Sequence, residues 1–220
     1  MSPVAIHGTV LFDLDGTIVD NTPGIFHSLA VGFAAVGREA PEDLRPFVGP
    51  PLQEVFASVG LDEAQVAAAV AAFRAEYSAG AMLDFVVYDG VAEALRCLAA
   101  AGVVCAVATS KPEPFAEAIL GRADLLDAFV AVVGATLDGT RRHKLDVVTE
   151  TLRRTGVAAG PDVAMVGDRS HDLDAARTCG LSGYGVRWGF GTDDELVPFD
   201  PVALLDHPTE LVAAVLGPSR

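Results

Sequence analysis

Apolar residues in this chain fall into two kinds of block. Short apolar runs at residues 9–12, 103–108, 130–133, 163–166 and 181–186 have the length of buried strands and end in turn residues. Between them, apolar positions recur every three or four residues, which predicts helices over 23–36, 51–59, 62–81, 91–101, 112–120, 144–155, 170–179 and 209–216. The first of these has Thr22 as its expected N-cap and Pro23 at its first helical position. In the helix over 62–81, Val66, Val70, Phe73 and Tyr77 make one apolar face. Gly102, Gly156 and Gly180 stand where three of the helices should stop.

From residue 91 onward helices and strands alternate strictly, which implies a parallel sheet covered on both faces. The stretch 20–85 breaks the alternation, since it holds several helices and no clear strand. The expected fold class is therefore α/β: a Rossmann-like parallel-sheet core from residues 1–19 and 86–220, with a small helical domain, 20–85, inserted after the first strand and set over the end of the sheet.

About half the chain is apolar (51%), enough for a sizeable core. No apolar run approaches the roughly 18–20 residues of a membrane helix. Met1-Ser2-Pro3-Val4 lacks the basic and long apolar segments of a secretory signal. A net charge of −15 argues against nucleic acid and anionic membrane as partners. Cys97, Cys105 and Cys179 are odd in number and lie in apolar or helical contexts, so buried free thiols in a reducing cytoplasm are expected. Only Lys111 and Lys144 stand against thirteen arginines. An ammonium is not equivalent to a guanidinium, so these two invite a role in a site.

The candidate chemistry lies at strand ends. Asp13 and Asp15 follow the first strand and, two apart in extended backbone, point to one side. Two carboxylates that close raise each other's pKa unless a cation or a shared proton intervenes. The strand over 103–108 leads to Thr109-Ser110-Lys111, and the strand over 163–166 to Gly167-Asp168-Arg169-Ser170-His171-Asp172. Lys144 opens a helix whose N-terminus points to the same rim. In open parallel sheets ligands bind beyond the carboxyl ends of the strands. Four carboxylates there suit a hard cation, most simply Mg²⁺, while hydroxyls and ammonium groups suit phosphate oxygens. Together they are the parts of phosphoryl transfer. Each piece alone has a local reading. A strand-end Asp often caps a turn or helix, Thr109-Ser110 can start one, and Asp168 and Asp172 can charge a helix N-terminus. Lys144 at the front of a helix opposes the dipole and resists such an account.

Asp13-Leu14-Asp15-Gly16-Thr17, Thr109, Lys144 and the 167–172 motif, in this order, resemble the haloacid dehalogenase superfamily of phosphatases over nearly the whole chain. The helical insert is similar to that family's cap domain. Gly49-Pro50-Pro51-Leu52 and the run 183–191 are similar to its phosphoglycolate phosphatase-like branch. The resemblance implies that Asp13 attacks phosphorus and becomes an aspartyl phosphate, and that Asp15 protonates the leaving oxygen and then activates water. It implies Mg²⁺ on Asp13, Asp15 (through its carbonyl), Asp168 and Asp172. Thr109 and Lys144 would bind phosphate, with Ser110, Lys111 and, from the cap, Arg45 on the substrate side. Arg142, His143, Arg169 and His171 are rim positions.

Within the superfamily, a dehalogenase has no use for an acid at position 15, and a Schiff-base phosphonate hydrolase needs a cap lysine that 20–85 lacks. A phosphomutase shares the first chemical step and stays open. A phosphoacceptor signalling domain, a binding switch rather than an enzyme, places its acids on separate strands and has no helical insert. A nucleotide-binding P-loop is excluded because residues 134–140 have Thr where Lys is required. The expectation is a Mg²⁺-dependent phosphomonoester hydrolase of a small soluble metabolite, phosphoglycolate first and a nucleoside 5′-monophosphate or sugar phosphate next. It would be a cytoplasmic monomer or homodimer without nucleic-acid or membrane partners.

Overall fold

A computed structural model describes residues 7–217. The expectation about residues 1–4 lies outside the described residues. Along the chain the elements are β1 (Thr9–Phe12), β2 (Val19–Asp20), α1 (Thr22–Ala35), α2 (Leu52–Ser58), α3 (Glu63–Ala79), β3 (Val86–Val87), α4 (Val91–Ala100), β4 (Val104–Pro112), α5 (Glu113–Arg122), β5 (Val132–Ala135), α6 (Lys144–Thr155), β6 (Val163–Gly167), α7 (Ser170–Cys179), β7 (Ser182–Val186), α8 (Asp193–Leu196), β8 (Ala203–Leu205) and α9 (Glu210–Leu216). The chain divides into two compact units, Met1–Val19 with Val87–Arg220, and Asp20–Val86.

The larger unit is built on a six-stranded sheet ordered β5-β4-β1-β6-β7-β8. All its strand pairs are parallel. β1 is central because its side chains suit complete burial on both faces, with Val10 and Leu11 at 0% exposure. Leu11 lies in register with Ala106 of β4 and Met165 of β6. These three share a buried cluster with Val147, Val148 and Leu152 of α6 and Ala175 and Ala176 of α7. On the opposite face Phe12 meets Phe129 edge-on at 6.1 Å. Counting only the strands of this sheet, the spatial order is 3-2-1-4-5-6. The order reverses between β1 and β6, where the crevice of such a sheet takes its ligand.

The smaller unit is helical. Phe33 of α1 packs edge-on against Phe56 of α2 at 5.1 Å, and Phe73 stacks on Tyr77 at 5.5 Å. Val70, Phe73 and Tyr77 form the buried face of α3, and Ala69 takes the place that the helical period gave to Val66. Asp62 caps this helix, accepting from the Gln65 N–H at 2.8 Å while Gln65 accepts from the Asp62 N–H at 3.1 Å.

Several sequence expectations shift. Thr22 is the first residue of α1, not its cap, because the Asp20 carboxylate takes both the Thr22 N–H (3.0 Å) and hydroxyl (2.6 Å). β4 continues through Thr109-Ser110-Lys111 to Pro112, because Pro112 pairs with Ala135 after an irregularity beyond Ala108. β5 starts at Val132 rather than 130, and Val130 is exposed. β8 and α8 lie in a segment where no element was expected. Cys105 is buried, and burial pushes its thiol up to about 12, whereas Cys97 and Cys179 are half-buried. Among the described residues no helix is long and apolar enough to cross a membrane.

His7, which precedes β1, is 3% exposed and lies 2.7 Å from the Tyr184 hydroxyl of β7. Burial lowers its pKa, against smaller upward pulls from the Pro161 carbonyl and the Asp162 charge. The folded state thus favours neutral imidazole, while the unfolded chain takes up a proton near the usual value of about 6.5. This contribution is present above that pH and is lost as pH falls through it toward the folded value. Denaturant titrations at a series of pH values should show parent stability falling on acidification below about 6.5 relative to a His7→Gln variant. Parallel pH curves for the two proteins would refute the assignment.

Candidate active site

The site forms where β1, β4 and β6 end and α6 begins. Asp13 follows β1 directly, and its N–H donates to Val166 O at 2.9 Å, which fixes the turn to the neighbouring strand. Gly16 has φ +80°, and a Cβ there would stand 2.2 Å from Asp168 Oδ2, so the turn needs glycine for both its conformation and its space. The turn sets Asp13 and Asp15 into different surroundings.

Asp13 is buried and its Oδ1 lies 2.8 Å from Lys144 Nζ. The same ammonium lies 2.9 Å from Asp172 Oδ1 and donates to Ala108 O at 3.0 Å. Lys144 is thereby held at three points. Burial would raise the Asp13 pKa, but the charge and hydrogen bond of Lys144, helped by His171 and the Leu14 N–H, hold it below the usual carboxylate value. For Lys144, burial acts downward and the charges of Asp13 and Asp172 prevail, so it stays protonated. Asp172 uses its other oxygen to cap α7, accepting the Arg169 N–H at 3.1 Å. The helix-cap reading of this residue and its place in the charge cluster both hold, on different oxygens.

Asp15 behaves oppositely. Its side chain is 22% exposed and its Oδ2 lies 2.8 Å from Lys111 Nζ. Burial raises its pKa, the Asp13 charge adds to that, and the opposing pulls of Lys111 and Lys144 do not cancel the rise. Thr109 is buried at the same place, its Oγ1 accepting the Lys111 N–H at 3.2 Å. Ser110 is half-buried.

Asp168 has no exposed surface. Its Oδ2 accepts the Phe190 N–H at 2.8 Å and its Oδ1 the Thr17 hydroxyl at 3.4 Å. Burial, then the charges of Asp172 and Asp13, push its pKa well up. Asp13 and Asp172 thus flank one ammonium, and the buried Asp168 lies close enough to feel both of their charges. That excess of buried negative charge, presented on oxygen donors, fits a divalent hard cation. Among the described residues, Asp13, His171 and Asp172 bring possible side-chain ligand atoms within 4.8 Å of one another. This grouping sets His171 beside two of the expected acids, Asp13 and Asp172; the part expected of Asp15 runs through its backbone carbonyl and not its side chain. The Asp15 carboxylate pairs with Lys111, and the Asp168 carboxylate accepts from Phe190 and Thr17.

Arg45 lies outside the unit that carries these residues. It belongs to the helical unit, is exposed, and pairs with Asp43 through two bonds of 2.9 and 3.0 Å. Arg142 and His143 are exposed, and Arg169 bonds Glu195 at 3.0 Å. The strap after β7 contributes contacts whose residues the sequence carried only within the family-like run 183–191. Trp188 Nε1 donates to Thr17 O at 3.1 Å, next to the Phe190–Asp168 bond. Its glycine spacing was a usable signal, since a Cβ at Gly189 would stand 2.4 Å from Asp168 Cβ.

The model of the haloacid dehalogenase-like hydrolase family matches residues 10–186. A protein of Pseudomonas aeruginosa named 5′-nucleotidase is 39% identical over 195 residues, covering 87% of this chain and 88% of that one. A phosphoglycolate phosphatase of Xylella fastidiosa is 31% identical over 218 residues, covering 96% and 94%. The tyrosine-protein kinase PtkA of Mycobacterium tuberculosis is 40% identical over 188 residues, and the match spans 84% of this chain but only 64% of that protein. Its solved structure superposes with a TM-score of 0.82 at 35% identity, over 96% of this chain and 99% of that one. The chain belongs to the haloacid dehalogenase-like hydrolase family.

Proposed function

We propose that this protein is a Mg²⁺-dependent phosphomonoester hydrolase that works through a phosphorylated Asp13. The observation that carries the reading is the split between two acids two residues apart. Asp13 is held ionised by Lys144, and Asp15 has its pKa raised beside Lys111. Acids pushed apart in this way divide the roles of nucleophile and proton donor.

Asp13 attacks phosphorus, and the bond to the leaving oxygen breaks as Asp15 delivers its proton there. Asp15 then takes a proton from the water that attacks the acyl phosphate, and orthophosphate leaves with Asp13 regenerated. Lys144 screens Asp13 against the incoming phosphate charge, and Thr109 and Lys111 offer donors to the phosphate oxygens. Asp13, Asp168 and Asp172 would hold Mg²⁺, which supplies neutralisation of phosphoryl charge. The helical unit Asp20–Val86 is proposed as the cap that selects the leaving group. Between the two substrates raised by the sequence, the relative named 5′-nucleotidase is the more similar, so a nucleoside 5′-monophosphate is preferred to phosphoglycolate.

Phosphate release from a panel including nucleoside monophosphates, phosphoglycolate, sugar phosphates and phosphotyrosine should be strongest on a nucleotide. It should vanish with chelator and return with Mg²⁺. Asp13→Asn should lower kcat at least about 10³-fold, as loss of a nucleophile does. Metal-independent release, or turnover by Asp13→Asn of confirmed mass, would defeat the proposal. Asp15→Asn should lose far more rate on alkyl esters than on an activated aryl phosphate, whose leaving group needs no proton. Equal losses on both would remove the acid role.

A further inference from the structure

Lys111 and Lys144 lie on separate segments, the end of β4 and the first turn of α6. Residues 136–143 connect β5 to α6, and Arg141 ties this connection down. Its Nε donates to Gly134 O at 2.8 Å and its Nη2 to Glu113 Oε2 at 2.8 Å. Its N–H donates to Thr136 Oγ1 at 3.0 Å, and its carbonyl accepts the Thr136 N–H at 2.9 Å. Glu113 opens α5, two positions after Lys111. Its Oε2 also accepts the Gly134 N–H at 3.3 Å, and its Oε1 accepts from Arg154 Nη1 at 2.8 Å. Gly134 is the point of convergence. A Cβ there would stand 2.4 Å from Lys111 O and 2.6 Å from Glu113 Cα. The side chains of Arg141 and Glu113 are 18% and 23% exposed, which sets them apart from an ordinary surface pair.

We propose that Glu113 and Arg141 form a positioning pair that fixes the Lys111 and Lys144 segments around Gly134, so that both ammonium groups meet one phosphoryl group; this rests on the phosphatase reading. Glu113 and Arg141 bond each other and, between them, both backbone groups of Gly134, so the pair acts through the backbone. Lys144 has three partners at its ammonium and only a flexible stem behind it. If the 136–143 connection shifts, the α6 start shifts with it, and the ammonium must leave a partner. Displacements of about 1 Å can cost about 10²-fold in rate.

The test uses the full chain with Mg²⁺ and the variants Arg141→Met, Glu113→Gln, their double, and Arg141→Lys. Arg96→Gln, in an exposed pair with Glu93 on α4, serves as control. Measured well below each melting transition, each single variant should lose about tenfold to a hundredfold in kcat. Affinity for inorganic phosphate should weaken alongside. The double should be no worse than the worse single, because both act through one pair. Arg141→Lys should recover part of the loss, since an ammonium can meet Glu113 or Gly134 O but lacks the guanidinium fork. Arg96→Gln should match the parent. If Arg141→Met fails to fold, Arg141→Lys and Glu113→Gln decide in its place. Folded variants with kcat and phosphate affinity within about twofold of the parent, however much Tm falls, would overturn the proposal, because the pair would then be structural only. A parent that binds phosphate but hydrolyses no ester would sink the phosphatase reading alone. Phosphate affinity in the variants would then decide about the pair. A parent that neither binds nor hydrolyses would overturn both.

Discussion

The buried ammonium of Lys144 is the interaction on which the site depends. Three carboxylates, on Asp13, Asp168 and Asp172, are packed into a space from which water is largely excluded. Without the positive charge beside it, burial would force Asp13 toward its protonated form. Asp13, in contact with Lys144, is held below the usual carboxylate value, whereas Asp168, whose partners are the Phe190 N–H and the Thr17 hydroxyl, has its pKa pushed well up. The contrast identifies the Lys144 contacts, rather than burial, as the reason Asp13 remains an anion and a usable nucleophile.

The sheet makes that arrangement possible. β1 ends just before Asp13 and β6 just before Asp168, and these strands are neighbours across the point where the strand order reverses. In an open parallel sheet the ligand crevice forms at that reversal, and the turns carrying Asp13 and Asp168 both begin there. Lys144 reaches the crevice from the start of α6, where its charge opposes the helix dipole. The two carboxylates within 3 Å offset that cost, so the position is explained by the site and not by the helix.

Much of this was legible along the chain because it is local. The helices over 144–155 and 170–179 appear with the boundaries expected, since Gly156 and Gly180 adopt the left-handed conformation at their ends. The Asp13-Leu14-Asp15-Gly16-Thr17 turn, Thr109, Lys144 and Asp168 announce themselves by strand ends and residue type. What was not legible is pairing between segments distant in sequence. The Lys111–Asp15 contact, the Glu113–Arg141–Gly134 convergence and the Phe190 N–H on Asp168 join positions far apart, and no periodicity encodes them. β8 escaped for a related reason. Three residues, Ala203–Leu205, have little pattern of their own and become a strand by pairing with β7.

Asp172 illustrates how one side chain can satisfy a fold requirement and a site requirement together. Its Oδ2 caps α7 and its Oδ1 faces Lys144. The cap fixes the carboxylate plane, and the plane decides where the other oxygen points. The helix start is therefore part of the electrostatics of the site. The same coupling recurs at Gly16 and Gly189, which admit the Asp168 carboxylate only because neither has a Cβ. In both places the backbone is shaped to hold acids in fixed orientation before any substrate arrives. Such preorganisation is the property that lets fixed charges stabilise a transition state without the reorganisation that water would need.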